Sequence, residues 1–329
     1  MNLIAGALPD GPTDADIVIL ALDRIDETLA AIRSARDQTG VATHLFVLDQ
    51  GSRPEGLRRL ADAIRQTPGA ALLEAGGNLG VAAGRNLLSG LGHARVIVAL
   101  DNDAEFATAG TVARLVAALD AEPRLAAVGC RIVSHADGTD DLSSWGYPAS
   151  LLPRATESFD TVTYVGAGHA IRRRAWQHAG GYDSKLFFCW EEFDFCLRAI
   201  ALGWRIRYRG DIVVRHKVAA EQRVGWTEAR WFYFVRNRLY IERKLGLTWP
   251  SIAPRAAGYL LRGVRNGLLM QTVRAICAAL EMAPRRTRRR LPRHAESYLL
   301  SNDRVHRGSI LQRLRNEALS RIGAVATAK

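Results

Sequence analysis

Short apolar runs alternate with amphipathic stretches through the first half of the chain. Ile17-Val18-Ile19-Leu20-Ala21-Leu22 is apolar without interruption, and Asp26 to Arg36 then sets Leu29, Ile32 and Arg33 at helical spacing. Leu45-Phe46-Val47-Leu48 returns to strand character, a helix runs through Leu57, Leu60 and Ile64, and short strands follow at Ala71-Leu72-Leu73 and Val96-Ile97-Val98-Ala99-Leu100. Strands apolar on both faces and separated by helices predict a mostly parallel sheet with crossover helices. Val112 to Leu119 reads as a further helix. From Ser134 to Asp160, Gly, Ser, Pro and Asp are frequent, so loops or short strands are expected there. The pattern resumes at Val162-Thr163-Tyr164-Val165. Helices are predicted over Arg172 to Ala179, stopped by Gly180-Gly181, and over Glu191 to Leu202, with Gly203 after it. On the second of these, Glu191 and Asp194 lie three apart and share a face.

Beyond these, Thr227 to Leu245 predicts a helix rich in aromatic residues and arginine. A second long helix is expected over roughly Arg255 to Met282, with Ala257, Leu260, Leu261, Val264, Leu268, Ala275, Ala279 and Met282 on one arc and Arg262 and Arg265 opposite. Two readings fit it: a helix docked on the domain, or one that lies with the Arg285 to Arg293 run on an anionic membrane surface. The chain divides accordingly into residues 1–245 and a helical, basic extension at 246–329.

Composition narrows the class. With 329 residues, 48% of them hydrophobic and 24% charged, the chain reads as a folded protein. No apolar run approaches the roughly 20 residues of a membrane-spanning helix. The N-terminal stretch lacks a basic n-region, so export is not expected and a cytoplasmic location is, peripheral to the inner face of the membrane if the basic extension binds it. Cys130, Cys189, Cys196 and Cys277 show no CxxC spacing and read as reduced packing residues. The net charge of +12 is uneven: from Ala283 onward there are twelve Lys or Arg against three Asp or Glu. Such a tail can meet nucleic acid or anionic lipid, or be solvated.

The chemistry concentrates at strand ends. Asp101-Asn102-Asp103 follows the Val96 to Leu100 run, and alternation along a strand puts both carboxylates on one side. That suits a hard divalent cation with positions left for diphosphate oxygens, although such a pair is also common in a solvated turn. Trp190-Glu191-Glu192-Phe193-Asp194 supplies a spare carboxylate for proton transfer. The segment Gly76 to Asn86 does not have the GxGxxG spacing, yet its glycines would let backbone N–H groups approach an anion, with Arg85 adding charge. Asp49, this segment and Asp101/Asp103 all fall at carboxyl ends of strands, where open α/β sheets bind ligands. His216, after Ile212-Val213-Val214, is either a ligand or a packing histidine.

The order of the pieces is more specific than any one of them. Asp49-x-Gly51-Ser52, Asn78-Leu79-Gly80, Arg85-Asn86, Asp101-Asn102-Asp103, Gly166-Ala167, Gly181-Tyr182-Asp183, Glu191-Glu192-Phe193-Asp194 with Arg198 and Gly203, then His216, resembles the GT-A glycosyltransferases of family 2. The likeness covers roughly residues 15 to 245 and is nearest to the branch with bacterial rhamnosyl- and galactofuranosyl-type transferases. It implies an α/β GT-A fold, a Rossmann-like nucleotide-binding domain, here with a C-terminal helical extension. It also implies an inverting transfer from a UDP- or dTDP-sugar to a hydroxyl acceptor, with a lipid-linked or cell-envelope glycan as the candidate. In the implied roles Asp49 accepts hydrogen bonds from the base, Asp101 contacts ribose or metal, Asp103 ligates Mn2+ or Mg2+, and His216 completes the metal site. Gly80, Arg85, Asn102, Gly166 and Ala167 fall among the positions contacting the nucleotide-sugar. Glu192 stands where the family has its base, with Glu191 or Asp194 as substitutes.

Two departures matter. Ala21-Leu22-Asp23-Arg24 stands where the family has an aromatic residue and Asn. Glu192 replaces the commoner Asp, and a carboxylate displaced by about 1 Å can cost about 100-fold. A sugar-phosphate nucleotidyltransferase would need a Gly-rich basic loop after the first strand, which Leu22-Asp23-Arg24-Ile25-Asp26 is not. A nucleic-acid-binding protein would need its basic residues on a folded surface with aromatic partners, whereas here they gather in one terminal stretch.

Overall fold

The structure, a computed structural model, describes residues 1–9, 11–217, 227–283 and 291–309. Most of the Arg285 to Arg293 run and the end of the basic tail lie outside the described residues. Ten strands form one sheet in the order β1 (Asn2–Gly6), β4 (Ala70–Glu74), β3 (Thr43–Asp49), β2 (Ala15–Ala21), β5 (Val96–Asp101), β9 (Gly168–Arg172), β7 (Leu125–Ser134), β10 (Arg205–His216) and β6 (Ala104–Phe106), with β8 (Ser158–Thr161) also on β10. The pairings β4-β3-β2-β5 and β7-β10 are parallel, and β1, β6, β8 and β9 run against them. The mostly parallel sheet expected from the alternating pattern is thus present, mixed by these four antiparallel strands.

Period two in the strands divides the core into two layers. Ile17, Ile19, Val47 and Val98 point to one face, where they meet α1 (Ile25–Arg36), α2 (Pro54–Arg65) and α4 (Thr111–Asp120). Val18, Phe46, Leu48 and Ile97 point to the other, against α3 (Gly80–Ser89), α5 (Arg173–Ala179) and α6 (Glu191–Ala201). Burial on both faces is why the central strands read as unbroken apolar runs. Gly180, at φ 77°, ends α5 in the left-handed conformation, as the Gly-Gly pair predicted.

The C-terminal helices differ from the expectation. After α7 (Glu228–Lys244), the single helix read over Arg255 to Met282 is two, α8 (Trp249–Arg265) and α9 (Leu269–Met282). Gly267 turns the chain at φ 70°, and Leu268 N–H donates to Gly263 O at 2.7 Å. The two helices then approach closely at Gly263, where a Cβ would come within 2.2 Å of Thr272 Oγ1. Tyr259, Ala275 and Ala279 pack with Trp231, Val235 and Leu239 of α7. Leu261 and Val264, placed on the shared apolar arc from sequence, are 48% and 57% exposed. Finally α10 (Arg293–Asn302) returns to the sheet layer through Ala295 and Leu299.

Candidate active site

Three strand ends converge on one cluster. Asp101 closes β5, a two-residue turn carries Asp103 into β6, and antiparallel pairing of β6 with β10 sets His216 opposite Ala104. One ligand atom from each of Asp101, Asp103 and His216 lies within 4.8 Å of the others. His216 Nε2 faces Asp103 Oδ1 at 3.3 Å, and Nδ1 faces Asp141 Oδ2 at 2.9 Å. Asp141 is itself fixed by Ser143 N–H, Ser143 Oγ–H and Ser144 Oγ–H. Ionised carboxylates only accept, so both ring nitrogens of His216 donate here, Nδ1 to Asp141 and Nε2 to Asp103; a metal ion would take the place of the Nε2 proton while Asp141 keeps Nδ1–H. Burial alone would lower the pKa of His216, but hydrogen bonds to Asp103 and Asp141 and the charges of Asp103 and Asp101 lift it to about 9. Burial would raise Asp103, but the hydrogen bond and charge of His216 and the charge of Arg24 hold it below the ordinary carboxylate range.

This donor set fits a divalent cation. Two carboxylates and one imidazole match Mn2+ or Mg2+, and the Asp141–His216 pair is the kind of second contact that orients a ligating histidine. Arg24 completes the surroundings, its Nη1 donating to Asp103 Oδ2 at 2.6 Å. Asp23 and Arg24 both have positive φ (48° and 50°), so the departure after the first strand is a kinked turn that delivers a guanidinium to the acidic pair.

Arg85 joins this cluster to the second acidic motif. Its guanidinium is 4% exposed; Nη2 donates to Asp101 Oδ1 at 2.7 Å and to Gly166 O at 2.8 Å, and Nη1 donates to Glu192 Oε1 at 2.8 Å. Glu192 stands in the first turn of α6 and lines a cleft of about 890 Å3. Burial pushes its pKa up and Arg85 pulls it back, leaving it above the ordinary range. Glu191 is 3% exposed, with Oε2 lacking a hydrogen-bond partner among the described residues, and burial next to Glu192 raises it much further. Of two adjacent carboxyls, burial thus favours the neutral form of Glu191 more strongly than that of Glu192, which Arg85 holds back.

A strained segment presents Glu192. Phe187, Cys189 and Trp190 all have positive φ, at 62°, 71° and 72°, each a conformation that costs of order 1–3 kcal/mol. Their surroundings impose it. Asn237 of α7, fully buried, donates through Nδ2 to the carbonyls of Leu186, Phe188 and Cys189 at 2.8 to 2.9 Å, and Arg236 donates to those of Lys185 and Leu186. On the other side, Phe187 O accepts from Val81 and Ala82 N–H at the start of α3, the helix that carries Arg85. Asn237→Ala should lower stability by about 2–4 kcal/mol, the cost of unpaired buried carbonyls and unsupported strain. Thermal unfolding checks this; an unchanged midpoint would show that the segment holds itself.

The remaining candidates sort by place. Asp49 is fully buried; Oδ2 accepts from Gly51 and Ser52 N–H, and Oδ1 has no partner among the described residues. Gly80 has φ 79° and takes Asn78 Oδ1 on its N–H; a Cβ there would meet Phe187 O at 2.4 Å. The α3 N–H groups read as an anion cradle are therefore engaged by Asn78 and Phe187, and Arg85 by carboxylates and a carbonyl. Gly166 has no room for a side chain, since a Cβ would lie 2.6 Å from Glu192 Oε1. Ala167 O accepts from Asp101 N–H, and Asn102 donates to Thr28 Oγ1. Asp194 is not brought to this cluster: it is 1% exposed and held by Arg198 and Lys244, with Lys244 also on Asp183. Asp141, Arg24 and Asn237 were not singled out from sequence. Only Asp141 carries a signal, as an acidic residue followed by Ser143-Ser144, the pattern of a side chain that caps its own turn.

Comparison with known proteins agrees with this geometry. Residues 16–179 match the model of Glycosyl transferase family 2. No match was found among curated proteins. Among solved structures, the chain resembles a mannosyltransferase, PcManGT of Pyrobaculum calidifontis, in complex with GDP-Man and Mn2+ (TM-score 0.53, 17% identity, 97% of this chain and 89% of that one). It also resembles GalNAc-T7 with UDP, GalNAc and Mn2+ (0.60, 16%, 83% and 56%) and S. aureus TarS 1-349 (0.57, 12%, 93% and 88%). At these identities the likeness speaks for the fold, which is GT-A. The family match, the fold and the acidic cluster at its strand ends together make this chain a glycosyltransferase of family 2.

Proposed function

We propose that the protein transfers a sugar from a UDP- or dTDP-sugar to a hydroxyl acceptor with inversion, and that Glu192 is the base. The observation that carries this reading is Arg85, whose guanidinium holds Asp101 of the metal cluster at one end and Glu192 at the other. A donor diphosphate at the cluster and an acceptor hydroxyl at Glu192 are thereby set side by side. Asp101, Asp103 and His216 would hold Mn2+ or Mg2+, which when bound offsets negative charge on the diphosphate. Glu192 Oε1 is tied to Arg85, and its carboxylate opens on the cleft to take the acceptor's proton as the hydroxyl attacks the anomeric carbon. Glu191, in the neutral form that burial favours, adds no competing charge. Attack opposite the leaving diphosphate inverts the anomeric centre and needs no covalent enzyme intermediate. Asp49 Oδ1, buried and lacking a described partner, supports a hydrogen bond from the donor's base.

In a panel of UDP-, dTDP- and GDP-sugars with Mn2+, release of nucleoside diphosphate is expected from UDP- or dTDP-sugars, and NMR of the product should show the opposite anomer. Release confined to GDP-sugars, or a retained anomer, would contradict the reading.

A lipid-linked or cell-envelope glycan as acceptor, and peripheral contact with the membrane's inner face, belong to the same proposal. Their support is the outer face of α8 and α9, where Val264, Leu269, Met270 and Leu280 are 45% to 67% exposed beside the exposed Arg265 and Arg274. No helix among the described residues is long and apolar enough to cross a membrane. Sedimentation with anionic but not neutral vesicles checks the contact, and its absence with both would remove it.

A further inference from the structure

Arg24 stands between Asp49 and the acidic cluster. It lies in the turn after β2, where Asp23 and Arg24 both take positive φ, at 48° and 50°. Such a pair persists only where its surroundings fix it, and contacts on two sides do so here. Asp23 N–H donates to Ser52 Oγ at 2.8 Å, and Asp23 Oδ1 accepts from Arg53 N–H at 3.3 Å. These bonds fasten the turn to the loop whose Gly51 and Ser52 N–H groups hold Asp49. On the other side Arg24 O accepts from Thr28 N–H and Oγ–H, and Thr28 Oγ1 accepts from Asn102 Nδ2. The backbone of Arg24 is thus tied both to the loop of Asp49 and to the turn that carries Asp101 and Asp103.

Its side chain is held less firmly. The side chain is 34% exposed; Nη1 meets Asp103 Oδ2 at 2.6 Å, and Nη2 approaches Glu27 Oε1 at a looser 3.6 Å. Arg85, the other guanidinium on the acidic pair, is 4% exposed and donates to Asp101, Gly166 O and Glu192. Arg85 is therefore locked into the floor of the site, whereas Arg24 reaches it from solvent. A divalent ion on Asp103 would take the carboxylate that Arg24 now holds, and two positive charges so close repel each other. A guanidinium released from a carboxylate presents a fork of N–H donors that also matches the oxygens of a phosphate.

We propose that Arg24 occupies Asp103 in the free protein and passes to the donor's diphosphate when a divalent ion takes Asp103. One guanidinium then serves first as a stand-in for the cation and afterwards as a ligand of the nucleotide. The assignment rests on the reading of Asp101, Asp103 and His216 as the metal site of the donor. The backbone ties keep the turn in place, so only the exposed side chain has to swing. An ion alone must displace a cation from Asp103, whereas ion and diphosphate together offset each other's charge and give the guanidinium a new partner. Metal and nucleotide are therefore expected to bind cooperatively.

Calorimetry on wild type, Arg24→Gln and Arg24→Lys tests it with Mn2+ alone, and with UDP and dTDP at saturating Mn2+. Arg24→Gln removes the competing charge, so it should bind Mn2+ alone about threefold more tightly than wild type, or better. The same variant should bind the nucleoside diphosphate about tenfold more weakly or worse, the loss of a charge-assisted hydrogen bond. A damaged fold would lower both affinities, so the opposite signs separate a lost contact from a lost structure. Arg24→Lys keeps the charge, and its affinity for Mn2+ alone should stay within about twofold of wild type. Unchanged or weaker Mn2+ binding in Arg24→Gln, unchanged diphosphate binding in that variant, or an equal gain in Mn2+ affinity in Arg24→Lys overturns the proposal. Wild type reports the reading beneath it. If neither nucleotide binds wild type in an Mn2+-dependent way, the metal site falls and this assignment with it; if wild type binds and a variant fails as stated, only the part given to Arg24 falls.

Discussion

Replacing Glu192 by Gln lowers sugar transfer by about 10^3-fold while UDP affinity in the presence of Mn2+ stays within about twofold. General-base removal costs 10^2- to 10^4-fold, so the middle of that range corresponds to about 4 kcal/mol of barrier. The substitution keeps the size of the side chain, and the amide oxygen can still accept from Arg85 Nη1 where Glu192 Oε1 does now. Arg85 also keeps Asp101 and Gly166 O, so the floor of the site persists. The pH profile adds a second readout. Glu192 must be ionised to act, and burial holds its pKa above the ordinary glutamate value despite Arg85. The wild-type rate therefore falls with falling pH through a midpoint above the ordinary value of about 4.3, and the variant's residual rate loses that limb. Steady-state rates against pH check both statements; wild-type turnover in Glu192→Gln would remove the residue from the mechanism.

Asp103→Ala abolishes the part of nucleotide binding that depends on metal. Asp103 is 8% exposed and touches both His216 and Arg24, so its loss removes one of the three groups that could hold the ion and leaves Arg24 without that partner. The Mn2+-dependent gain in UDP affinity should fall by about 100-fold or more, the upper end of what even the groups behind a ligand contribute. Asp141→Asn acts one step removed: it changes the acceptor of the His216 Nδ1 proton and should weaken Mn2+ by about tenfold. Calorimetry with UDP, with and without Mn2+, measures both variants. Equal Mn2+ dependence in wild type and Asp103→Ala would mean that the metal sits elsewhere.

The layers of the fold were legible because burial on both faces writes a strand such as Ile17 to Leu22 as a continuous apolar run. Glu192 and Asp103 were singled out as candidates for a different reason: each belongs to an acidic cluster at the end of an element, and the order of such clusters along the chain is specific. Asp141 was not, because it lies in the irregular stretch between Ser134 and Asp160, where no periodicity announces that a turn will fold back against His216. Arg24 reads as a surface residue until the positive φ of the Asp23-Arg24 turn brings it to Asp103. Asn237 is hidden between Arg236 and Arg238 in a helix whose polar residues suggest solvent, and only the strained carbonyls of Leu186 to Cys189 explain its burial. The break at Gly267 escaped notice because a helical projection carries its arc across a short break such as Asn266 to Leu268, provided the apolar positions on both sides keep the same phase.

The central claim is that the acidic cluster and Arg85 form a donor site that works through a divalent ion. Its most direct test is the thermal stability of the wild-type protein with UDP or dTDP, each with and without Mn2+. A ligand at 100 times its dissociation constant adds about 2.7 kcal/mol, so the account predicts a clear rise in the unfolding temperature with nucleotide and Mn2+ together, and little with either alone. An equal rise in the presence of EDTA, or none with any nucleoside diphosphate in folded protein, would contradict it.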